Sequence, residues 1–171
     1  MAQQIDLTQV LSQKYVIDSC AMLDFWGSIP GFKRPYDIEV QSFRDVWNKI
    51  SDMVDSGVIL IPEVIFKEVD ETTIEEFHKW LLAHKKLFVD YDDCLAELAE
   101  IINEFKFYTT NKASLNDAIL VAIAKQRNLT VITSEKKSFP TSYKKPMIPN
   151  VCEFFKVPSM NLPEFLIAEN L

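Results

Sequence analysis

Seven consecutive apolar residues, Ala118-Ile119-Leu120-Val121-Ala122-Ile123-Ala124, form the longest apolar run of the chain, and an acid, Asp117, stands directly before them. A membrane span needs about 18 such residues. The run therefore has the length of a segment buried inside a globular fold, and it is read here as part of a helix opening at Ser114. No other stretch comes near the membrane length. The start, Met1-Ala2-Gln3-Gln4-Ile5-Asp6, has neither a basic region nor an apolar one, so no signal peptide is expected.

Around this helix, short β-like runs alternate with longer helical ones. Tyr15-Val16-Ile17-Asp18-Ser19, Val58-Ile59-Leu60-Ile61, Leu87-Phe88-Val89 and Leu129-Thr130-Val131-Ile132-Thr133 read as strands. Phe43, Val46, Trp47, Ile50, Met53 and Val54 fall at helical spacing, with Gly57 as a stop. A short helix is expected from Glu63 to Asp70. Thr72-Thr73-Ile74-Glu75 reads as a capping box before another. Leu95, Leu98, Ala99, Ile102 and Phe105 mark an amphipathic helix, and a short helix is expected after Asn150. Strands of this length between helices imply an α/β fold with a parallel sheet covered on both faces. Ligands of such sheets bind beyond the carboxyl ends of the strands.

Composition removes several classes. With 171 residues, 48% of them apolar, the chain suits one ordinary domain rather than disorder. The net charge of −7 disfavours nonspecific binding along nucleic acid, though not a local basic patch. Cys20, Cys94 and Cys152 form no close pair, which argues for reduced thiols in a cytoplasm and against zinc. His78 and His84 lie six apart, about 240° on a helix. They cannot share a metal there and read as surface or boundary residues.

Four acids are out of place by composition. Asp18 follows Tyr-Val-Ile, Glu68 lies in a mostly apolar segment, Asp117 precedes the apolar helix, and Glu135 follows a strand end. Buried carboxylates are costly unless paired or bound to a cation, and several together repel one another. A divalent ion resolves both problems, and oxygen-only ligands suit Mg2+ or Mn2+. Each acid also has a plainer reading. Asp18 can cap the following helix, and Glu68 can be a solvated helix residue. Asp117 fits capping-box spacing with Ser114, and Glu135 can be a loop charge beside Lys136 and Lys137.

Taken in order, these segments resemble the PIN domain superfamily, whose bacterial members include VapC-like toxin ribonucleases. Tyr15-Val16-Ile17-Asp18-Ser19 is similar to its first motif, and Ile61-Pro62-Glu63-Val64-Ile65-Phe66-Lys67-Glu68 to its second. Asn116-Asp117 with the apolar run resembles the third, and Val131-Ile132-Thr133-Ser134-Glu135 the fourth. The tail, from Ile148 through Leu162, resembles a less studied PIN-like branch of bacteria and archaea. Glu135 departs from the pattern, since most of the superfamily has Asp there; the longer side chain would act through water or as a weaker ligand.

The resemblance implies one PIN-like domain over residues 1–171, a three-layer sandwich with a mainly parallel sheet of four to five strands. It implies a metal-dependent endoribonuclease, the toxin of a type II toxin–antitoxin system. Asp18, Glu68, Asp117 and Glu135 would be its catalytic and metal-binding residues, with Mg2+ or Mn2+ as cofactor. Ser19, Thr133 and Ser134 are supporting candidates, or else turn residues. Lys33, Arg34, Lys136, Lys137, Lys144 and Lys145 are candidates for a nucleic-acid rim, or else a solvated loop; Phe139 and Tyr143 can stack on bases or pack the loop. RNA is the implied substrate and an antitoxin protein the implied partner, with no membrane. A homodimer is also implied, using Phe25, Trp26, Phe32 and Tyr36 unless these close over the core. Two alternatives stand beside this reading. A non-catalytic PIN-fold binding module would explain the altered Glu135. A haloacid-dehalogenase-type phosphatase wants a second Asp two residues after the first, where this chain has Cys20.

Overall fold

Side-chain alternation along three short strands creates the layers. The computed structural model describes residues 13–26, 40–69, 75–110, 112–138 and 145–171. In β1 (Tyr15–Ile17), β2 (Ile59–Leu60) and β3 (Thr130–Ile132), successive side chains point to opposite faces. Val16, Leu60 and Val131 enter one core, while Tyr15, Ile17, Ile59 and Ile132 enter the other. Because both faces are covered, these strands carry no polar side. That explains their unbroken apolar runs.

The elements follow as α1 (Ser19–Trp26), α2 (Val40–Asp55), α3 (Glu63–Val69), α4 (Glu75–His84), α5 (Leu95–Glu104), α6 (Lys112–Arg127), α7 (Ile148–Phe155), β4 (Ser159–Met160) and α8 (Leu162–Ala168). The sheet order is β2-β1-β3-β4, and every pairing is parallel. Val16 stands opposite Leu60 on one side and Val131 on the other. Helices α5, α6 and α7 fill the first core; α1, α2, α4 and α8 fill the second. The chain is thus the three-layer α/β sandwich expected from its sequence, with four strands. All residues from Ala118 to Ala124 are buried, at 2% exposure or less. Among the described residues no helix is long and apolar enough to cross a membrane.

One turn geometry feeds three of the four strands. Gly57, Asn128 and Lys156 have positive φ of 75°, 54° and 58°. After each, the next N–H reaches back to the last helical turn: Val58 to Met53 O at 2.8 Å, Leu129 to Ala124 O at 2.9 Å, Val157 to Cys152 O at 2.8 Å. These are left-handed helix ends that satisfy terminal carbonyls and reverse the chain sharply. They deliver α2 into β2, α6 into β3 and α7 into β4.

Four local expectations change. Leu87-Phe88-Val89 is not a strand: Lys85–Leu87 is a 3-10 turn, and Val89 makes one isolated bridge to Pro62. The bridge is made by Ile61 O and the Glu63 N–H, and α3 starts at Glu63, so no extended backbone follows to lengthen it. Helix α6 begins at Lys112 rather than Ser114, so Asp117 lies beyond its first turn and is not a capping-box residue. Helix α7 begins at Ile148, with Pro149 in its first turn, rather than after Asn150. The edge strand Ser159–Met160 was not expected, because two residues of this kind carry no strand pattern. Of the capping box at residues 72–75, residues 72–74 lie outside the described residues.

The dimer face also changes in part. Phe25 is 1% exposed and packs edge-on against Phe165 at 5.7 Å. Trp26 is half-buried against Trp47 and Phe77, at 4.8 and 5.3 Å. These rings close the second core, because α1 must seal the sheet end directly after β1. Phe32 and Tyr36 lie outside the described residues.

A methyl group on Gly57 would touch nothing within 4 Å. The cost of Gly57→Ala is therefore conformational, roughly 1–2 kcal/mol for an L-residue in this region. Chemical denaturation is expected to show that loss with an unchanged m-value; no loss would remove the turn argument.

Candidate active site

Parallel pairing of β1 with β3 sets their carboxyl ends side by side, and the acids gather there. Asp18 both ends β1 and opens α1. Its N–H bonds Ile132 O at 3.0 Å, and its carbonyl accepts the Met22 N–H at 3.0 Å. The side chain is buried, 6% exposed. Oδ2 accepts the Thr133 hydroxyl at 3.0 Å, and Oδ1 lies 3.4 Å from the Ser19 hydroxyl. The Cys20 N–H also favours its charged form. Thr133 in turn accepts the Glu135 N–H at 3.1 Å, which leaves its own proton for Asp18.

The two glutamates are held from other elements. Glu68, on α3, accepts the Asn116 side-chain N–H at 2.7 Å. Glu135 accepts the Ile148 N–H at 2.7 Å, so it binds the N-terminus of α7, where a helix favours an anion. Asn150, 1% exposed, fixes the same loop: Oδ1 accepts the Ser138 N–H at 3.0 Å and its hydroxyl at 2.9 Å, and Nδ2 donates to Ser138 O at 3.1 Å.

Electrostatics tie these acids into one cluster. Burial raises the Asp18 carboxyl to about 7, with the charges of Glu135 and Glu68 adding to it and the Thr133 and Cys20 hydrogen bonds opposing it. Asp117 is raised to about 8, by burial first and then by Glu135, Asp18 and Glu68. Glu135 is raised by burial, against the Ile148 N–H and the Lys145 charge. The Cys20 thiol is pushed up to about 12 by burial of its sulfur and by the surrounding acids, although the residue as a whole is exposed. It is therefore a protonated thiol and a poor nucleophile.

A family model described as a domain of unknown function, DUF4411, matches residues 9–171. The chain belongs to the DUF4411 family. No curated protein matches its sequence.

Within this DUF4411 domain, the charges of Glu68 and Glu135 reach both Asp18 and Asp117, and that of Asp18 reaches Asp117. Among the described residues, however, no three His, Cys, Asp or Glu side chains converge closely enough to hold a metal ion as they stand. The donor set itself, four carboxylates and no nitrogen or sulfur, has the chemistry of a hard divalent cation site. The supporting residues divide. Thr133 and Ser19 face Asp18. Ser134 Oγ is buried without a hydrogen-bond partner among the described residues. It faces Asp24 closely enough to oppose the rise that burial gives that carboxyl, but not in bonding geometry.

Among the rim candidates, Lys136 and Lys145 are exposed. Lys137 pairs with Glu153 on α7 at 2.5 Å. Lys33, Arg34 and Lys144, like Phe139 and Tyr143, lie outside the described residues. Sequence reasoning missed Asp24, Asn116 and Ile148. Asn116 alone had a signal, its place beside Asp117; the others depend on contacts across the fold.

The sign of the pH effect follows from the raised values. Asp18 and Asp117 keep protons in the folded DUF4411 domain that the unfolded chain releases near 3.8. Their contribution to stability is complete below that pH and is lost as pH rises through about 7 to 8. In metal-free protein, Asp117→Asn is expected to match wild type near pH 4 and melt higher near pH 8. Each kcal/mol relieved corresponds to about 2–4 °C. A lower melt for Asp117→Asn at pH 8 would refute the repulsion.

Proposed function

We propose that this chain is a metal-dependent endoribonuclease of the PIN type, acting in the cytoplasm as the toxin of a type II toxin–antitoxin system. The observation that carries the reading is the elevation of both Asp18 and Asp117, by burial and by the charges of Glu135 and Glu68, at the carboxyl end of an all-parallel sheet. Buried carboxylates within reach of one another's charge are costly, and a bound cation is the usual remedy. The order of the motifs along the chain, from Tyr15 to Glu135, supports the PIN assignment within the α/β sandwich.

Asp18 and Asp117 would hold Mg2+ or Mn2+ directly, because a strand end and a helix interior fix their backbones. Glu68 and Glu135 have the side-chain length to turn from Asn116 and Ile148 and complete the site. Bound there, the ion supplies an acidified water and neutralises charge on the phosphodiester. The chain's own part is positional. Thr133 and Ser19 orient Asp18, Asn116 orients Glu68, and the α7 N-terminus orients Glu135. RNA would approach over a rim that includes Lys136 and Lys145, with an antitoxin protein and a second copy of the chain as partners.

A second reading, a non-catalytic PIN-fold module, is favoured by one observation: Glu135 already serves as a ligand of the Ile148 N–H. Cleavage of single-stranded RNA with and without Mn2+ separates the two. Asp18→Asn and Asp117→Asn are expected to lose activity by more than about a hundredfold, beyond the loss typical of groups that only orient ligands. Glu135→Gln is expected to lose less. A folded wild-type protein without metal-dependent cleavage of any RNA would leave the binding module. An active Asp117→Asn would refute the nuclease assignment.

A further inference from the structure

Tyr108 lies in the 3-10 turn Lys106–Thr109, which leads towards α6, and its side chain is 0% exposed. Packing accounts for the ring, which meets Phe105 and Phe107 edge-on at 6.4 and 5.9 Å. Nothing accounts for the hydroxyl. Its oxygen is buried and has no hydrogen-bond partner among the described residues. Phenylalanine would fill the same space without leaving a polar atom dry.

The turn packs against α6, the helix that carries Asp117. The charges that reach the hydroxyl are, in order, those of Asp117, Glu135 and the Cys152 thiol. Together with burial they hold the phenol well above its usual range, so it remains a proton donor. Among the described residues the Asp117 carboxylate accepts no hydrogen bond. A donor without an acceptor thus stands within electrostatic reach of an acceptor without a donor, on a turn packed against the helix that carries it. Carboxylates that hold metal ions are themselves hydrogen-bonded from outside, and those outer donors tune affinity.

We propose that Tyr108 is a positioning residue for Asp117: its hydroxyl donates to one carboxylate oxygen when the other faces a divalent cation. The inference rests on the metal-site reading above. It adds a residue outside the four motifs, on the stretch between the helix marked by Leu95 to Phe105 and the one that carries Asp117. The hydroxyl fixes which way the carboxylate turns; it touches neither substrate nor ion.

The test uses the full chain, metal-free, with Mn2+ or Mg2+ alone as probe. Tyr108→Phe is expected to melt at or above wild type without metal, since it removes an unpaired hydroxyl. It is expected to bind Mn2+ about tenfold more weakly by calorimetry, the scale of a hydrogen bond to a charged acceptor, and so to gain less melting temperature on Mn2+ addition. In wild type labelled at the tyrosine rings, Mg2+ should move the Tyr108 Cζ resonance. Equal Mn2+ affinity in wild type and Tyr108→Phe would overturn the proposal, as would an unmoved Cζ resonance or a metal-free Tyr108→Phe that melts well below wild type. A wild-type protein that binds no Mn2+ would instead refute the metal site itself, and this inference with it.

Discussion

A helix buried along its whole middle has no place for a charge, and that constraint orders the molecule. Residues 118–124 of α6 contact the sheet and the flanking helices and exclude water throughout. A charge on this helix must sit where the burial ends. Asp117 stands at that point, beyond the first turn of α6, and its helix packs directly on β1 and β3. The strand ends that carry Asp18 and Thr133 are therefore its neighbours. The acid cluster follows from how the apolar helix is sealed, together with the parallel register of the two central strands.

Three of the four acids have a clamp of their own, and the clamps come from different elements. Thr133 bonds Asp18 across the sheet, Asn116 of α6 bonds Glu68 of α3, and the Ile148 N–H of α7 bonds Glu135. Two of these acids also serve the fold. Asp18 does sit where it opens α1, and Glu135 does bind a helix N-terminus. The glutamate at this place gains meaning from that contact: it reaches from the end of β3 to the first turn of α7. Structural bonds of this kind hold a carboxylate in a fixed place without consuming both of its oxygens.

How much of this was legible in the sequence depends on the range of the forces involved. The strands β1, β2 and β3 were readable because burial on both faces demands unbroken apolar runs. Helix α2 was readable from its spacing, and its end from Gly57. The start of α6 was misplaced, because the Ser114 spacing imitates a cap while the helix begins at Lys112. Val89 was misread because the extended backbone it pairs with gives way to a helix at Glu63, which the sequence around Val89 does not reveal. The four acids were visible as charges in apolar surroundings. Their partners Asn116 and Ile148, the neighbouring Asp24 and the unpaired Tyr108 hydroxyl were not, since each depends on a contact or an absence created by the fold.

The central claim is that Asp18 and Asp117 share one divalent cation. Diffraction from crystals grown with Mn2+, collected at a wavelength where manganese scatters anomalously, tests it directly. The account predicts an anomalous peak bonded to oxygens of both aspartates, with Glu68 or Glu135 turned towards it. A peak elsewhere, or none at saturating Mn2+ with both carboxylates well ordered, would contradict it.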